Sequence, residues 1–348
     1  MTETPRFLVE SAHKQTAAEP QPYDALIYSG SGLNRVGFVR DNFICEVTEN
    51  DGKSNSKRVP ATICYSKKPR DECWDRQRLG YLEGVAQALQ SPGLSHLPVY
   101  DPVSELTFMT VPLEAGVVHE DAKSNLVRFL ARDNYYQDMV GLRNLINKFD
   151  TVKFGLFGSR SIQGVKSSVA PDVDLVIYGY KDYQRVVHYL ENDVQLRGEL
   201  GISLRPPETI KRNTKHYMEK FKIGRAEAYL MSIRRRRYIL LPEAKLTINL
   251  GLLPEEIPLQ VPLVVGSRKI SEFAAEGLAV DTRFSSTQPR VYTIEIDGEN
   301  VNVISRDWSH KDAAKDGERV KIKGTLRSND GRDFISLENS GDMIQPII

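Results

Sequence analysis

Hydrophobic and polar positions in the first third of the chain alternate in short runs. The runs DALIYSG, RVGFV, FICEVTEN and PATICYS lie between residues 24 and 66 and are divided by turn residues. Such period-two alternation is typical of strands. The pattern changes to a helical period in DRQRLGYLEGVAQALQ, residues 75–90, and SPG follows it. We therefore predict a flexible arm at residues 1–22 and an N-terminal α+β region at residues 23–133.

The middle of the chain combines helical periods with nearly continuous apolar runs. Residues 134–148 predict a helix whose apolar face is formed by Met139, Leu142, Leu145 and Ile146. The runs TVKFGLFG and DVDLVIYG suit strands that are buried on both faces. Further helices are predicted in KDYQRVVHYLEN, PPETIKRNTKHYMEKF and RAEAYLMSIRRRR, with strands in YILL and KLTINLGL. Residues 134–289 are therefore expected to form a core with a mixed sheet.

The C-terminal part carries hairpin signals. RVYTIEIDGENVNVIS and ERVKIKGTLRSNDGRDFISLE each contain two alternating runs around an Asp-Gly pair, Asp297-Gly298 and Asp330-Gly331. Four short strands with such turns predict a small barrel or sandwich lobe at residues 290–348. The expected fold class is α/β to α+β, with a mixed central sheet, an N-terminal α+β region and this C-terminal β lobe.

Composition and net charge alter this predicted architecture little. Of the 348 residues, 40% are hydrophobic and 27% are charged, and the net charge of +1 provides no global field for nucleic acid or membranes. Three cysteines without a CxxC pair favour a reducing compartment. The N-terminus does not match a signal peptide, and no apolar run approaches a bilayer-spanning length. We expect a cytoplasmic protein that does not enter membranes.

The most informative stretch is FGLFGSRSIQGVKSSVAPDVDLVIYG, residues 154–179. Asp172 and Asp174 stand two residues apart at the start of a predicted strand, so they share one face. Two carboxylates so close resist ionisation unless a cation stands between them. Oxygen ligands of this kind favour Mg²⁺, or Mn²⁺ in its place. The pair therefore predicts a divalent metal site.

A phosphate site is predicted just upstream of that pair. Gly158 and Ser159 follow the first apolar run directly, and glycine lets the backbone approach a ligand closely. Backbone N–H groups and a serine hydroxyl bind phosphate oxygens, most readily where a helix begins. Arg160 adds a planar fork that suits phosphate.

The combination of FGS at residues 157–159 with PDVDLVIYG at residues 171–179 resembles the nucleotidyltransferase superfamily that includes DNA polymerase β. A broader similarity, carried also by GFVRDNFICEVT, VDTRFSSTQPRVYTIE and GERVKIKGTL, is to a prokaryotic, mainly archaeal group of predicted nucleotidyltransferases. The resemblance implies that Gly158 and Ser159 hold the phosphates of a nucleoside triphosphate, for which ATP is the expected substrate and Arg160 a further phosphate contact. It also implies that Asp172 and Asp174 are the catalytic, metal-binding residues in Mg²⁺-dependent transfer to an acceptor that it does not identify.

The sequence departs from that superfamily at the third carboxylate, which usually lies on a later strand. The candidate strand KLTINLGL offers Thr247 and Asn249 on one face. The remaining acidic candidates lie before or after that strand and are Glu243, Glu272, Glu276 and Asp281. A nucleotide- or RNA-binding protein that retains the fold but has weak or no catalytic activity is therefore the alternative hypothesis.

Nucleic acid is a candidate partner through two features. The run Arg234 to Arg237 suits a clamp for triphosphate or a nucleic-acid backbone, although a solvated helix end is the preferred interpretation. Tyr292, Trp308 and Phe334 in the C-terminal lobe suit base stacking, although packing in the core is preferred for them.

Overall fold

The protein divides into two compact units. The computed structural model describes residues 25–34, 37–47, 58–67, 75–76, 85–86, 89–90, 98–112, 118–120, 122–131, 139–157, 172–204, 206–234, 238–241, 244–251, 253, 256, 264, 266–287, 289–339 and 341–348. The first unit comprises Met1–Val99, Thr107–Ser203 and Ile239–Gly251, and the second comprises Tyr100–Leu106, Leu204–Tyr238 and Leu252–Ile348. Both units are discontinuous in sequence, unlike the contiguous ranges predicted from the sequence.

Seven strands from the N-terminal third form one sheet. They are β1 Ala25–Asn34, β2 Gly37–Val47, β3 Arg58–Lys67, β4 Asp75–Arg76, β5 Pro98–Asp101, β6 Leu106–Pro112 and β7 Val118–Glu120. Their order is β5-β6-β3-β2-β1-β7, with β4 paired to β3. The predicted strands are present here, and RVGFV and FICEVTEN contribute to the single strand β2. The helix predicted from residue 75 was placed too early, because residues 75–76 pair with β3 while 85–86 and 89–90 are helical.

A mixed four-stranded sheet carries the candidate site. Its strands are β8 Lys153–Phe157, β9 Asp172–Tyr178, β10 Tyr238–Leu240 and β11 Lys245–Gly251, in the order β10-β11-β9-β8. β9 runs parallel to β11 and antiparallel to β8. The mixed sheet expected for residues 134–289 is therefore present in this unit.

Four helices with described bounds belong to the same unit as that sheet. They are α1 Ala122–Leu130, α2 Val140–Lys148, α3 Tyr180–Asn192 and α4 Val194–Leu200. Their apolar side chains share one core with Phe154, Leu156, Val173, Leu175, Ile177, Leu246 and Ile248. The predicted apolar face of α2, including Leu142 and Leu145, is buried in this core. The N-terminus of α4 is capped by Asp193, which accepts a hydrogen bond from the Leu196 N–H at 2.8 Å.

The second unit contains two helices and a closed barrel. The helices are α5 Pro207–Phe221 and α6 Arg225–Arg234, and the strands are β12 Arg268–Asp281, β13 Arg290–Ile296, β14 Glu299–Ser305, β15 Arg319–Asn329, β16 Arg332–Leu337 and β17 Met343–Pro346. The order is β12-β13-β14-β16-β15-β17, and β12 also pairs with β15. Five strands therefore close on themselves, with β14 and β16 parallel. This order is that of the five-stranded Greek-key barrel called the OB-fold.

The two Asp-Gly turns behave as the sequence predicts. Asp297 and Gly298 have φ angles of 52° and 84°, and Asp330 and Gly331 have φ angles of 51° and 74°. Positive φ at both central residues defines the type I′ hairpin turn. The barrel nevertheless begins at Arg268, before the predicted boundary at residue 290. Its first strand, β12, was missed because SEFAAEGLAV is rich in Ala, Gly and Glu and has no turn signal beside it.

A short segment from the first part of the chain is built into the barrel unit. Ser104 is fully buried, and its carbonyl accepts a hydrogen bond from Arg327 Nη1 at 2.9 Å. Asp101 Oδ2 accepts another from the Gly266 N–H at 2.7 Å. Residues Tyr100–Leu106 are therefore a structural part of this unit. Among the helices that the structure describes, none is long and apolar enough to cross a bilayer.

Candidate functional site

The acidic positions lie on the face of β9 that is opposite its main core. Val173, Leu175 and Ile177 have fully buried side chains on the core face. Residues two apart share a face of a strand, so positions 172 and 174 lie together on the other face. The side chain of Asp174 is partly exposed. This alternation keeps the acidic positions out of the apolar core.

The strand register places Phe157, the residue that precedes the predicted phosphate loop, beside Asp174. Phe157, the last residue of β8, is the antiparallel partner of Asp174. Gly158, Ser159 and Arg160 follow Phe157 in the chain but lie outside the described residues. The described part of β8 therefore ends at the strand position of Asp174.

On the other side of β9, strand β11 places three polar residues beside this face. Lys245, Thr247 and Asn249 are the parallel partners of Asp172, Asp174 and Val176 respectively. Exposure falls along this row, since Lys245 is exposed, Thr247 is partly exposed and Asn249 is fully buried. Asn249 Nδ2 donates to the Leu175 carbonyl at 3.4 Å. The face is thus open to solvent at its acidic end and closed at Asn249.

Lys245 is a candidate residue that the sequence analysis did not single out. It becomes the neighbour of Asp172 only through the pairing of β11 with β9, two strands far apart in sequence. A lysine at the start of KLTINLGL carries no local signal of that pairing. Its ammonium group is a compact charge that suits phosphate or carboxylate.

Close packing blocks the part of this face that lies around Val176. A Cβ added to Gly155 would lie 2.8 Å from Val176 Cγ1, and one added to Gly251 would lie 2.8 Å from Val176 Cγ2. Glycine on both flanking strands therefore makes room for the Val176 side chain. Beyond it, Lys123 Nζ lies 4.4 Å from the centre of the Tyr178 ring. A ligand on this face must enter from the acidic end.

The candidates for a third carboxylate belong to the barrel, except Glu243, which lies outside the described residues. They form ion pairs on that barrel, namely Glu272 with Lys269 at 2.6 Å, Glu276 with Arg319 at 2.9 Å and Asp281 with Arg283 at 2.5 Å. Within the described side chains, which do not include that of Asp172, no group of three or more His, Cys, Asp or Glu could hold a metal ion. Thr247 occupies the β11 position beside Asp174.

Arg234 has a structural role. Its side chain is buried, and Nη1 donates to the Ala313 carbonyl at 3.1 Å while Nη2 pairs with Glu318. Burial lowers the pKa of this guanidinium and outweighs the opposing effect of Glu318. The clamp and the preferred solvated helix end are therefore both wrong for Arg234, because its guanidinium is buried and its charge is used inside the unit. Arg235, Arg236 and Arg237 lie outside the described residues.

The barrel aromatics that suited base stacking are core residues. Tyr292 and Phe334 are both fully buried. The Tyr292 hydroxyl donates to the His310 carbonyl and accepts from the Ala313 N–H at 3.0 Å. Buried rings cannot stack on a ligand's bases, so core packing, the preferred interpretation, holds for these two. The side chain of Trp308 is outside the described part.

Comparisons with known proteins provide no family. No family model matches the sequence, and no curated protein matches it. A chain of a Replication Protein A heterotrimer bound to ssDNA is 17% identical over 26% of this chain and 70% of that chain, with a TM-score of 0.19. A structure described as "Structural mimicry for functional antagonism" is 12% identical over 31% of this chain and 63% of that one, with a TM-score of 0.17. Such low TM-scores bear on neither fold nor function.

Proposed function

We propose that the protein is a Mg²⁺-dependent nucleotidyltransferase that moves a nucleotidyl group from a nucleoside triphosphate to an acceptor of unidentified class. The observation that carries the proposal is the register of β9. Asp174 is paired on one side with Phe157, the residue before Gly158-Ser159, and on the other side with Thr247. A phosphate loop and an acidic pair at one open sheet end are what nucleotidyl transfer requires.

Triphosphate binding and metal binding would be assigned to different residues of this chain. Gly158, Ser159 and Arg160 would hold the triphosphate, and Asp172 and Asp174 would hold Mg²⁺ or Mn²⁺ through oxygen ligands, which these ions prefer. The bound ion would neutralise charge on the phosphates. Lys245 would supply a further cation at the open end of the same face. Positioning and charge stabilisation would then provide most of the rate enhancement.

The transfer itself is a balanced substitution at the α-phosphorus. An acceptor oxygen forms a bond to that phosphorus and loses its proton, while the bond to the bridging oxygen breaks and pyrophosphate leaves. Orientation of the triphosphate by the loop keeps the attacking and leaving oxygens in line. ATP is the triphosphate with which testing should begin.

A second candidate function is supported by Thr247. A third carboxylate normally helps to hold the ion that activates the attacking oxygen. At the β11 position beside Asp174 the chain has a neutral hydroxyl. The alternative is therefore a nucleotide- or RNA-binding protein in which Mg²⁺-nucleotide binding survives while transfer is slow or lost.

Partner and compartment belong to the same proposal. Nucleic acid is the proposed macromolecular partner of the second unit, through the barrel and the residues Arg235 to Arg237. The cytoplasm is the proposed location, because three cysteines without a CxxC motif suit a reducing compartment.

The deciding experiment incubates the protein with triphosphates labelled at the α-phosphate, Mg²⁺ or Mn²⁺, and protein, nucleic-acid and small-molecule acceptors. The Asp172→Asn/Asp174→Asn variant should lose transfer. The Asp150→Asn/Asp182→Asn variant, which removes two other carboxylates of the same unit, should retain it. Transfer that persists in the first variant contradicts the proposed site. If no acceptor is labelled but the native chain alone binds Mg²⁺-ATP, the binding-protein alternative is favoured.

A further inference from the structure

Helices α5 and α6 form a hairpin whose orientation on the barrel is well defined. Thr214 Oγ1 donates to Ser232 Oγ at 3.2 Å, so these two residues mark the line along which the helices face each other. The barrel side of the hairpin is formed by Tyr217, Phe221, Ala228 and Met231, which share the barrel's hydrophobic core. The opposite side of the hairpin is therefore turned away from the barrel.

That opposite side presents a continuous stripe on each helix. On α5 and its C-terminal cap, Lys211, Lys215, Met218 and Lys222 recur at spacings of four, three and four. This spacing follows one face of a helix, and that face lies on the side of Thr214 away from Tyr217. On α6, Arg225 and Tyr229 lie four apart, on the side of Ser232 away from Met231.

The two stripes combine into one surface because the helices are joined by only three residues, 222–224, and pack antiparallel. We define the outer face as Lys211, Lys215, Met218, Lys222, Arg225 and Tyr229. All six are exposed, with 37% of Met218 and 52% of Tyr229 accessible to solvent. The outer face thus sets an aromatic ring and a flexible apolar side chain among four cations.

The positive charge of the outer face is not balanced locally. Glu208 and Glu219 lie at the edge of α5 that is further from α6. Glu219 is 3.8 Å from Lys215, and both side chains are more than half exposed, so their attraction is weak. The segment Leu204–Tyr238 contains eleven Lys or Arg residues and three Glu residues, although the whole chain has a net charge of only +1. This segment therefore concentrates positive charge well above the average of the chain.

We propose that the outer face of the α5–α6 hairpin binds single-stranded nucleic acid. Lysine and arginine along the two stripes suit successive phosphates of a backbone. Tyr229 offers an exposed ring on which an unpaired base can stack, and Met218 offers an adaptable apolar contact beside it. Bases in a duplex are already stacked, so an aromatic ring on a convex surface favours a single strand.

This surface differs from the one expected from the sequence and does not depend on the nucleotidyltransfer proposal. The earlier candidates Arg234, Tyr292 and Phe334 are turned into the unit. None of the outer-face residues belongs to the first unit, where Asp172 and Asp174 lie. The Asp172→Asn/Asp174→Asn variant should therefore bind nucleic acid as the native chain does, which separates failure of one proposal from failure of the other.

The test measures fluorescence anisotropy of labelled single-stranded RNA, single-stranded DNA and duplex DNA, each longer than about 16 nucleotides, with the full chain. The Lys211→Gln/Lys215→Gln variant should bind single strands roughly tenfold more weakly, and its slope of log affinity against log salt should shrink by about 1.4. Lys211→Arg/Lys215→Arg should restore both values. The matched control Lys148→Gln/Lys181→Gln, which removes two exposed lysines from the first unit, should change neither.

The stacking part is tested by Tyr229→Ala, which should weaken single-strand binding about fivefold or more and leave duplex binding unchanged. Circular dichroism and thermal melting of every variant show that the hairpin is still folded. An unchanged salt slope in the folded Lys211→Gln/Lys215→Gln variant overturns the proposal. Equal binding of duplex and single strands that Tyr229→Ala does not alter also overturns it, as does binding to anionic phosphatidylserine vesicles without binding to any oligonucleotide.

Discussion

Thr247 in β11 is the direct parallel partner of Asp174 in β9. Neighbours in register share a face of the sheet, so the threonine hydroxyl stands where a carboxylate would complete an acidic triad. A neutral hydroxyl adds an oxygen but no charge. In the proposed nucleotidyltransferase site, this relationship would affect how tightly a divalent ion is held and whether substrate is turned over.

Thr247→Asp should therefore strengthen divalent-ion binding, because it adds a charged oxygen ligand beside Asp174. We expect the Mn²⁺ dissociation constant to fall about tenfold, since ligand charge tunes ion affinity strongly. Electron paramagnetic resonance of free Mn²⁺ measures this directly. Thr247→Asn, which adds an oxygen ligand without charge, is the matched control and should change little. Equal affinities for Thr247→Asp and the native chain would show that Thr247 is not beside the ion.

His310 should make the barrel unit less stable at acidic pH. The imidazole is buried, with Nδ1 2.7 Å from Ser305 Oγ, and burial lowers the pKa of His310 to about 4. An unfolded histidine has a pKa of about 6.5, so between these values the unfolded state binds a proton that the native state does not. The free energy of unfolding should fall by about 2 kcal/mol between about pH 7 and about pH 5. Urea unfolding monitored across this range measures the change.

The matched controls for that prediction are two histidine variants. His310→Gln should flatten the pH dependence, because it removes the group that the unfolded state protonates. His188→Gln, at an exposed histidine of α3, should leave the dependence as it is. A native chain whose stability does not change over this pH range would contradict the assignment of a neutral, buried His310.

The ion pair between α5 and the barrel should stabilise an ionised Asp307. Lys220 Nζ lies 2.6 Å from Asp307 Oδ2. Burial raises the pKa of Asp307, but His310, Lys220 and the Ser309 N–H oppose it and hold this pKa well below its usual range. Lys220→Met should raise the Asp307 pKa, as measured by NMR titration. It should also destabilise the unit by about 1 kcal/mol, because both partners are partly exposed.

The lowered pKa of Asp307 also determines how the free energy of unfolding changes at acidic pH. The stabilisation by Asp307 is fully present above the unfolded pKa of about 3.9 and is lost as the pH falls below it.

Lys215→Met provides the control for Lys220→Met, because Lys215 pairs with Glu219 at 3.8 Å on the exposed side of the same helix. If the Lys215 and Lys220 variants have equal stabilities, the Lys220–Asp307 ion pair stabilises the protein no more than the exposed Lys215–Glu219 pair does.

Closure of the barrel should require that Gly324 has no Cβ atom. A Cβ there would lie 2.6 Å from the Ser336 carbonyl oxygen and 2.8 Å from Leu337 Cδ2. Gly324→Ala should cost about 1–3 kcal/mol in the free energy of unfolding, because overpacking forces the paired strands apart. The contrasting variant is Gly198→Ala in α4, where a Cβ meets nothing within 4 Å. It should stabilise the chain by about 0.5–1 kcal/mol, and equal effects at the two glycines would refute the packing argument.

Local sequence patterns predicted individual elements well. Alternation located β13 to β16, and the Asp-Gly pairs located two turns because positive φ suits few other residues. Apolar periodicity located α2, α3, α5 and α6. Helix α1 was not predicted, since its nine residues are too few for a clear period beside the turns around them.

Pairing between distant segments was beyond those patterns. The alignment of Lys245 with Asp172 depends on the packing of both strands against helices, not on either strand alone. The sequence also does not show which charged side chains are buried. Arg234 lies in the same arginine run as Arg235 to Arg237, and no local pattern distinguishes it. The proposed site thus rests on a sequence motif, whereas Lys245 and Thr247, its neighbours on β11, become apparent only from the strand register.

The hydrogen bond from Arg327 to the Ser104 carbonyl joins residues 223 positions apart. A ribosome adds roughly 5–20 residues per second, so tens of seconds separate the synthesis of the two partners. During that interval the Ser104 segment, and later the apolar sides of α5 and α6, emerge before the strands that will cover them. The barrel therefore cannot be completed until Arg327 has been synthesised, and nascent chains stalled before Arg327 should be clients for chaperones.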